Sequence, residues 1–338
     1  MIGKIIKGAI GLAAFGAGAL AASAVVLGNR RVDRWETLSL EDANDGDFVT
    51  LSDGARMHYV TRGDAGSPVI LIHGLMDSAL NWSKNIDALA ESHRVWAIDL
   101  IGFGFSSRVA EPMYSLKYYA RTLCELMDAR GIERASIVGH SLGGAVALEF
   151  AHDYPARVDQ LVLIAPATYL LGIPTALNLA ARMPYVPRAL VGMAVTSKHA
   201  RLSAWRNALG NPDRLDPQEA RKYARPLRVK GTADALVAMA ASPRESDLPA
   251  GLRQIDARTL ILWGDKDLAV PVEHGEHHER NLPNAEFVIL EGAGHVPQIE
   301  YPDVVNRLML EFLNANLAKV PHPANHAGSS TFARLGTE

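Results

Sequence analysis

Short apolar segments alternate regularly with helix-length amphipathic segments over most of the chain. Continuously apolar runs of this length are typical of strands that are buried on both faces of a parallel sheet. Such runs occur at Val69–Ile72, Val95–Ile98, Ser136–Val138, Leu161–Ile164, Thr259–Leu262 and Glu286–Leu290. Helical spacing of apolar residues occurs at Asn81–Ala90, Leu116–Ala129, Leu142–Asp153, Val272–Arg280 and Val304–Leu317. The order predicts an α/β fold with a mostly parallel sheet and right-handed crossovers.

Two short β-rich segments precede this alternation. Phe48–Leu51 and Met57–Val60 are joined by Ser52-Asp53-Gly54, a sequence that favours a tight turn. We therefore predict an antiparallel hairpin at one edge of the sheet.

A long segment without strand character interrupts the alternation between the fourth and fifth buried strands. It contains Ala- and Leu-rich helical pieces that are broken repeatedly by proline. We interpret this segment, residues 168–252, as an inserted helical cap. The α/β core is then formed by residues 47–167 and 253–317.

The N-terminal segment, residues 1–34, differs from the rest of the chain in composition. Gly8–Gly28 carries no charged side chain, and a helix of that length reaches roughly 30 Å, the thickness of the hydrocarbon core of a bilayer. We predict a hydrophobic helix that anchors the protein in a membrane through residues 8–28. Basic residues flank both ends, so the orientation stays open. The alternative is a cleaved signal peptide ending at Ala22-Ser23-Ala24, with a secreted or periplasmic product.

The C-terminal segment and the overall charge exclude further classes of structure and partner. Residues 318–338 are rich in Pro, His, Gly, Ser and Thr, which predicts a disordered tail. The 338 residues include 34 basic and 37 acidic side chains, and this balance argues against a nucleic-acid partner. The single cysteine, Cys124, cannot form a disulfide within the chain.

The strongest local motif is Gly139-His140-Ser141-Leu142-Gly143, which lies directly between a predicted strand and a predicted helix. In this context G-x-S-x-G is typical of a sharp turn that projects a nucleophilic serine over the sheet. The turn brings neighbouring chains close together, so the positions two before and two after the serine must be small. We therefore predict that Ser141 is a nucleophile.

A serine hydroxyl needs a base, and the base needs a carboxylate that orients it. Asp265 and Asp267 follow the strand Thr259–Leu262, and His295 follows the strand Glu286–Leu290. The carboxyl ends of parallel strands meet at one edge of a sheet, where ligands bind in open α/β folds. The order Ser, Asp, His is the order expected for this type of turn.

Taken together, these motifs resemble those of the α/β-hydrolase fold family with a helical cap, over roughly residues 47–317. The other motifs that carry the resemblance are His73-Gly74, Asp99 with Gly102-x-Gly104-x-Ser106, Trp263-Gly264-x-x-Asp267 and Gly294-His295-x-Pro297-x-x-Glu300. The resemblance implies that Asp267, not Asp265, is the triad acid. It also implies that the backbone N–H groups of Leu75 and Leu142 bind the oxyanion.

The resemblance further implies a serine hydrolase of the esterase or lipase type that needs no metal or organic cofactor. We expect a small, apolar ester as substrate. Other reactions on the same triad stay open, namely those of C–C bond hydrolases, lactonases, thioesterases and cofactor-free haloperoxidases. The segment His73-Gly74-Leu75-Met76-Asp77 lacks the Gly-Pro-Gly loop associated with C–C hydrolases, which disfavours that option. A non-catalytic binding protein of the same fold is an alternative of a different class.

Overall fold

The architecture is that of a single sheet with helices on both faces. The structure, a computed structural model, describes residues 23–109, 113–168, 185–214, 216–242, 246, 248–315 and 333–336. Within these ranges the strands are β1 (Asp47–Thr50), β2 (Arg56–Arg62), β3 (Pro68–Ile72), β4 (Arg94–Ile98), β5 (Ala135–His140), β6 (Val158–Ile164), β7 (Arg258–Gly264), β8 (Ala285–Leu290) and β9 (Ala333–Leu335). They are ordered β1-β2-β4-β3-β5-β6-β7-β8-β9.

The helices of the described residues fall into three groups. The N-terminal helix α1 covers residues 23–35. The core helices are α2 (Ile86–Ala90), α3 (Leu116–Ala129), α4 (Leu142–Asp153), α10 (Glu273–Asn281), α11 (Pro297–Glu300) and α12 (Pro302–Asn314). Those between β6 and β7 are α5 (Val186–Thr196), α6 (Lys198–Ala208), α7 (Pro217–Tyr223), α8 (Thr232–Ala241) and α9 (Leu248–Gly251).

The predicted α/β fold with a mostly parallel sheet is confirmed. β1 and β2 form the antiparallel hairpin, with Val49 opposite Met57, and β2 runs antiparallel to β4. All later neighbours, from the β3–β4 pair to the β8–β9 pair, are parallel. The strand order reverses at β3, which lies between β4 and β5, and this reversal opens a crevice at the carboxyl ends of these strands.

Alternate residues of the central strands pack into separate cores on the two faces of the sheet. On β3, Ile70 and Ile72 pack with the core that includes α3 and α4. Val69 and Leu71 pack with the core that includes α2 and α12. Each such fully buried side chain contributes roughly 1.5–3 kcal/mol of transfer free energy. Burial on both faces explains why these strands have no polar alternation.

One predicted helix is shorter than its sequence pattern. The segment predicted at Asn81–Ala90 is divided into a 3-10 turn, Ala79–Trp82, and the short helix α2. Asn81 and Asn85 lie at the break and are fully buried, and both bond through their side chains to groups outside this segment. The helical spacing therefore came from two separate elements that face the same core.

The N-terminal helix α1 packs along the helices between β6 and β7. Val32 is completely buried, and a Cβ added to Gly192 of α5 would lie 1.9 Å from its Cγ2 atom. Asp33 forms an ion pair with Arg188 at 2.8 Å. After α1, the Glu36 carboxylate accepts hydrogen bonds from the amides of Gly231 and Ala233 at the start of α8, at 2.8 and 2.7 Å.

The predicted anchoring in a membrane is wrong for the described part of the chain. There, no helix is both long enough and apolar enough to cross a bilayer. Residues 23–28 of the predicted span belong to α1, which continues through Arg30, Arg31, Asp33 and Arg34 and packs against α5. Residues 1–22 lie outside the described residues. The predicted localisation, in which an N-terminal helix anchors the protein in a membrane, is therefore wrong for the residues that the structure describes.

The segment predicted as a disordered tail contributes a strand. β9 pairs in parallel with β8, and the Glu291 amide donates to the Leu335 carbonyl oxygen at 3.0 Å. Residues 318–332 and 337–338 of the predicted tail lie outside the described residues. Because an edge strand is held by backbone hydrogen bonds, it needs no apolar pattern, and for this reason β9 could not be recognised from the sequence.

Candidate functional site

Ser141 lies at the predicted sharp turn between β5 and α4. Its backbone has φ 52° and ψ −114°, a conformation that residues with a side chain rarely adopt. A Cβ added to Gly139 would lie 2.3 Å from the Gly143 carbonyl oxygen, and one on Gly143 would lie 2.2 Å from the Ile72 carbonyl oxygen. The two glycines are therefore required by close backbone contacts on both sides of the turn.

The structure brings together Ser141, His295 and Asp267. The Ser141 Oγ atom lies 3.0 Å from His295 Nε2, and His295 Nδ1 lies 2.8 Å from Asp267 Oδ2. The Asp267 side chain is fully buried, and that of His295 is 12% exposed. The chain of hydrogen bonds is the arrangement in which an imidazole can remove the serine proton.

The two candidate carboxylates have different surroundings. Asp267 Oδ1 accepts hydrogen bonds from the amides of Ala269 and Val270, at 2.8 and 2.9 Å, which leaves Oδ2 directed at His295. Asp265 Oδ1 instead accepts from the Gly292 amide at 2.6 Å, and its Oδ2 lies 3.4 Å from Lys266 Nζ. Of the two, only Asp267 contacts the histidine.

The predicted oxyanion donors lie on two segments beside Ser141. Leu142 is the first residue of α4, and Leu75 belongs to the loop after β3; both line the same cavity as Ser141. A Cβ added to Gly74 would lie 3.1 Å from the Ser141 Cβ atom, so this loop approaches the nucleophile closely. His73 fixes the loop through bonds of Nδ1 with the Gly74 carbonyl and of Nε2 with the Leu100 amide.

A buried carboxylate supports the loop that carries Leu75. Asp99, at the end of β4, accepts hydrogen bonds from the amides of Ala79 and Phe105 and from His58 Nδ1. Burial opposes ionisation, but the hydrogen bond and charge of His58 hold the pKa of Asp99 below its usual value. A Cβ on Gly104 would lie 1.9 Å from Asp99 Cγ, which explains the glycine in this motif.

His140, which precedes the nucleophile, is not placed to act as its base. Its Nε2 atom lies 2.8 Å from the carbonyl oxygen of His295, and the two rings are 4.9 Å apart. Burial and the neighbouring His295 hold the pKa of His140 well below its usual value. The neutral ring therefore packs beneath the loop of His295.

A cavity of about 640 Å³ opens above Ser141, between the sheet edge and the helices inserted after β6. Its lining is largely apolar and includes Leu75, Met76, Leu116, Leu142, Trp205, Leu227, Met239, Val270 and Val296. Asp77 also lines it, next to the loop of Leu75. Burial raises the pKa of Asp77 to about 7, against the hydrogen bonds that its carboxyl accepts from Asn81 and Ser78. Asp77 is therefore a titratable side chain in the wall of the cavity.

Glu300 connects the loop of His295 to the inserted helices, a role that the sequence did not reveal. Its Oε2 atom accepts hydrogen bonds from the amides of Gly294 and Gly210, at 2.9 and 3.2 Å. Its Oε1 atom accepts from the Asn211 amide at 2.7 Å. The motif that contains Glu300 was visible, but its partners Gly210 and Asn211 lie 90 and 89 positions away, in a segment that has no motif.

Comparison with known proteins shows the family to which the chain belongs. A family model for the alpha/beta hydrolase fold matches residues 67–302. The chain is 30% identical over 297 residues to a 2-hydroxy-6-oxononadienedioate/2-hydroxy-6-oxononatrienedioate hydrolase of Comamonas testosteroni, which covers 81% of this chain and 98% of that protein.

Two further similarities come from another relative and from a solved structure. Over 256 residues the chain is 34% identical to the dihydrolipoyllysine-residue acetyltransferase component of the acetoin cleaving system of Pseudomonas putida, covering 74% of this chain but only 64% of that protein. The structure of a meta-cleavage product hydrolase from Pseudomonas fluorescens IP01 is 27% identical, with a TM-score of 0.67, covering 80% of this chain and 98% of that one. This chain belongs to the α/β-hydrolase fold family, and its similarity to these hydrolases supports a hydrolase activity.

Proposed function

We propose that this protein is a serine hydrolase that cleaves a carboxylic ester with an apolar acyl or alcohol group. The observation that carries the proposal is the hydrogen-bonded chain from Ser141 Oγ through His295 to Asp267, at 3.0 and 2.8 Å, at the base of an apolar cavity. A small molecule is the expected substrate. The proposed reaction has two steps, acylation of Ser141 and hydrolysis of the acyl-enzyme, and neither step uses a metal or an organic cofactor.

In the first step Ser141 is acylated. His295 Nε2 takes the hydroxyl proton while Oγ bonds to the acyl carbon, and the carbonyl electron pair moves to the oxygen. The backbone N–H groups of Leu75 and Leu142 are the proposed donors to that oxyanion. When the tetrahedral intermediate collapses, the bond to the alcohol oxygen breaks and His295 returns the proton to the departing alcohol.

In the second step water replaces the alcohol. His295 removes a proton from water, the hydroxyl oxygen bonds to the acyl carbon, and the bond to Ser141 breaks as its Oγ atom recovers the proton. Asp267 holds the Nδ1 side of the ring throughout, so the tautomer with Nε2 free is the one that faces Ser141. Hydrogen bonds from the backbone amides of Ala269 and Val270 to Asp267 Oδ1 keep the carboxylate in this orientation.

The inserted helices are proposed as a cap that determines which ester enters. Trp205 and Ala208 of α6, together with Met239 of α8, form part of the cavity lining. An apolar lining favours apolar substrate groups because their burial removes surface from water, at about 25 cal/mol for each Å². Hydrolysis rates should therefore increase with the length of the acyl chain until the cavity is filled.

Cleavage of a C–C bond is the second candidate, because the chain is similar to a meta-cleavage product hydrolase and because a 2-hydroxy-6-oxononadienedioate/2-hydroxy-6-oxononatrienedioate hydrolase aligns over 98% of its own length. The substrate in that relative's name is a dioate, which carries two carboxylates. A dianion would need cationic partners in the cavity, whereas Arg201 is the cationic side chain among its described lining residues. The charge of the lining therefore favours the ester.

The test compares the two reactions on the full chain. A panel of p-nitrophenyl esters of increasing acyl length is assayed beside 2-hydroxy-6-oxo-6-phenylhexa-2,4-dienoate, the substrate named for another relative. We expect turnover of the esters, loss of that turnover in Ser141→Ala, and little cleavage of the dienoate. Faster cleavage of the dienoate than of every ester would reverse the order of the two candidates.

A further inference from the structure

A second histidine–aspartate pair is buried outside the triad, between β2 and the residues that follow β4. His58 on β2 has its Nδ1 atom 2.7 Å from Oδ2 of Asp99, and the two side chains are only 5% and 1% exposed. Neither residue is among the described residues that line the cavity above Ser141. The pair therefore does not contact a substrate in that cavity, and any effect on the reaction must pass through other residues.

The partners of the two ring nitrogens determine the charge of His58. Its Nε2 atom lies 2.7 Å from the backbone carbonyl oxygen of Asp45, which can only accept a hydrogen bond. Its Nδ1 atom faces the Asp99 carboxylate, and the amides of Ala79 and Phe105 donate to the two oxygens of that carboxylate, which stabilises the ionised form. Both ring nitrogens of His58 therefore carry a proton, and an imidazole with two ring protons is a cation.

The charges around the ring favour the same state. Burial opposes the charged form of His58, but the hydrogen bonds and charges of Asp99 and Asp45 raise its pKa above the usual value. Among the described residues, the two ring nitrogens bond only to Asp99 and Asp45. The other charged or titratable side chains packed near the pair are those of Arg56, Arg62, Arg108, Arg225, His73 and Asp77. His58 and Asp99 thus form a buried ion pair that is lost only when pH rises through the raised pKa of His58.

Asp99 connects this ion pair to the loop that carries Leu75. Its Oδ1 atom accepts a hydrogen bond from the Ala79 amide at 2.6 Å, on the C-terminal side of that loop. On the N-terminal side, His73 Nε2 accepts from the Leu100 amide at 3.0 Å. Both ends of the loop are therefore attached to the two residues directly after β4. Because Leu75 lies between the two attachments, its amide can move if one of them is lost.

We propose that His58 is a positioning residue whose positive charge holds Asp99 against the Ala79 amide and so keeps the Leu75 amide directed at the oxyanion. When His58 loses its second ring proton, one of its two acceptors faces a lone pair, and Asp99 loses its hydrogen-bonded cation. The buried carboxylate then moves or takes up a proton, and either change weakens the bond from Ala79. Full activity therefore requires a charged His58 together with a neutral His295, and kcat falls at alkaline pH. This inference rests on the proposed ester hydrolysis and adds a pH-dependent control of the same site.

The first measurement is the charge of His58 in the full wild-type chain. In ¹⁵N NMR spectra a charged imidazole has two protonated nitrogens, whereas a neutral one has a single protonated nitrogen. The ring is assigned by its contacts with Phe48 and Phe105, whose ring centres lie 5.2 and 5.9 Å away. We expect His58 to keep its second ring proton to a higher pH than the histidines of the urea-unfolded chain. Loss of that proton at the same pH or at a lower pH would overturn the inference.

The second measurement is the pH profile of kcat for a p-nitrophenyl ester, corrected for the non-enzymatic rate, in the wild type and in His58→Asn. The Asn side chain can place an NH₂ group near the position of Nδ1, so it can donate to Asp99 but carries no charge. We expect kcat of the variant to be about 10-fold to 100-fold lower near neutral pH, because the Leu75 amide is displaced. KM should change little, since the oxyanion forms only in the transition state. The alkaline fall of kcat should be absent from the variant.

A second histidine–aspartate pair provides the matched control. His152 Nδ1 lies 2.9 Å from Asp153 Oδ1, but the His152 side chain is 32% exposed, so His152→Asn should leave kcat and its pH profile unchanged.

Two kinetic results would overturn the inference. One is an alkaline fall of kcat that is the same in His58→Asn and in the wild type. The other needs no variant: in the wild type, the midpoint of that fall would differ from the pH at which His58 loses its ring proton. Either result, with ester hydrolysis retained, would leave the proposed function intact. No ester hydrolysis by the wild type would overturn that function, while the NMR measurement would still test the charge of His58.

Discussion

The two sides of the cavity are held together by different kinds of contact. Below it, Ser141 is fixed by backbone geometry, because the added Cβ atoms at Gly139 and Gly143 would collide with main-chain oxygens. Above it, the inserted helices are attached through apolar side chains and through polar side chains that bond to backbone amides. Glu300 bonds to the amides of Gly210 and Asn211, and Glu36 bonds to those at the start of α8.

The difference indicates how the two sides respond to substitution. A strained turn between a buried strand and a helix has no room for change, and a displacement of about 1 Å at reacting atoms costs about 100-fold in rate. Side-chain hydrogen bonds contribute to holding the inserted helices, and each of these carboxylates serves two or more amides. Substitutions on the lower side should therefore lower the rate of the chemical step, kcat. Substitutions on the upper side should change substrate binding and the free energy of unfolding.

The largest effect is expected at the triad acid. Asp267→Ala should lower kcat by about 10⁴-fold, because the His295 ring loses the partner that fixes its tautomer. Asp265→Ala is the matched control two positions away, and its loss should be far smaller because that carboxylate bonds to the Gly292 amide rather than to the histidine. Ester hydrolysis measured on both variants checks this. Reversal of the two results would show that the acid is assigned to the wrong residue.

A second prediction tests the backbone contacts below the cavity. Gly143→Ala places a Cβ 2.2 Å from the Ile72 carbonyl oxygen, so the turn must shift. We expect kcat to fall about 100-fold and the free energy of unfolding to fall by about 1–3 kcal/mol. Gly336→Ala, where an added Cβ meets no atom within 4 Å, serves as control. Wild-type kcat in Gly143→Ala would contradict the account of the turn.

A third prediction tests the connection between the two sides. In Glu300→Gln one oxygen becomes an NH₂ group that faces backbone amides, so donors meet donors. The free energy of unfolding should fall by about 1–3 kcal/mol, and KM should rise because residues 210 and 211 lose their attachment. Glu311→Gln alters only an exposed ion pair at 3.7 Å and should change stability by less than about 0.5 kcal/mol. Equal stability of the two variants in urea would refute the connection.

The smallest effect is a pH dependence at Asp77. Its pKa is raised from 3.8 to about 7, so between these values the folded protein holds a proton that the unfolded chain has released. The contribution of Asp77 to the free energy of unfolding therefore decreases as pH rises through this window. Asp77→Asn removes that decrease, and the difference in unfolding free energy between variant and wild type should change by about 1–2 kcal/mol between about pH 5 and about pH 6.5.

An exposed aspartate provides the control for this measurement. The Asp87 side chain is 81% exposed, so Asp87→Asn should leave the pH dependence of urea unfolding as in the wild type. Parallel pH profiles for Asp77→Asn and the wild type would show that Asp77 ionises in the folded protein as it does in the unfolded chain.

The sequence predicted the lower side of the cavity well, for physical reasons. Strands buried on both faces must be apolar, so β3 to β8 were visible as apolar runs. The turn at Ser141 requires small residues at fixed positions, so its glycines formed a readable motif. The order of motifs along the chain then identified Asp267 and His295 as candidates, which the structure places in one chain of hydrogen bonds.

The upper side could not be predicted in the same way. Glu36 and Glu300 act through contacts with residues far away in the chain, and single charged residues form no periodic pattern. The uncharged composition of residues 8–28 suggested a membrane span, yet its described end lies in α1, whose Val32 packs against α5. Composition reports what a segment could bury, whereas its partner is determined by the tertiary fold.

The site at which a fluorophosphonate reacts tests whether Ser141 is the nucleophile. A fluorophosphonate labels a serine whose hydroxyl is activated by a neighbouring base, and peptide mapping by mass spectrometry identifies that serine. We expect one adduct on the wild-type protein, at Ser141, and none on the folded Ser141→Ala variant. An unlabelled wild type, or an adduct on a different serine in both proteins, would contradict the assignment of Ser141 as the nucleophile.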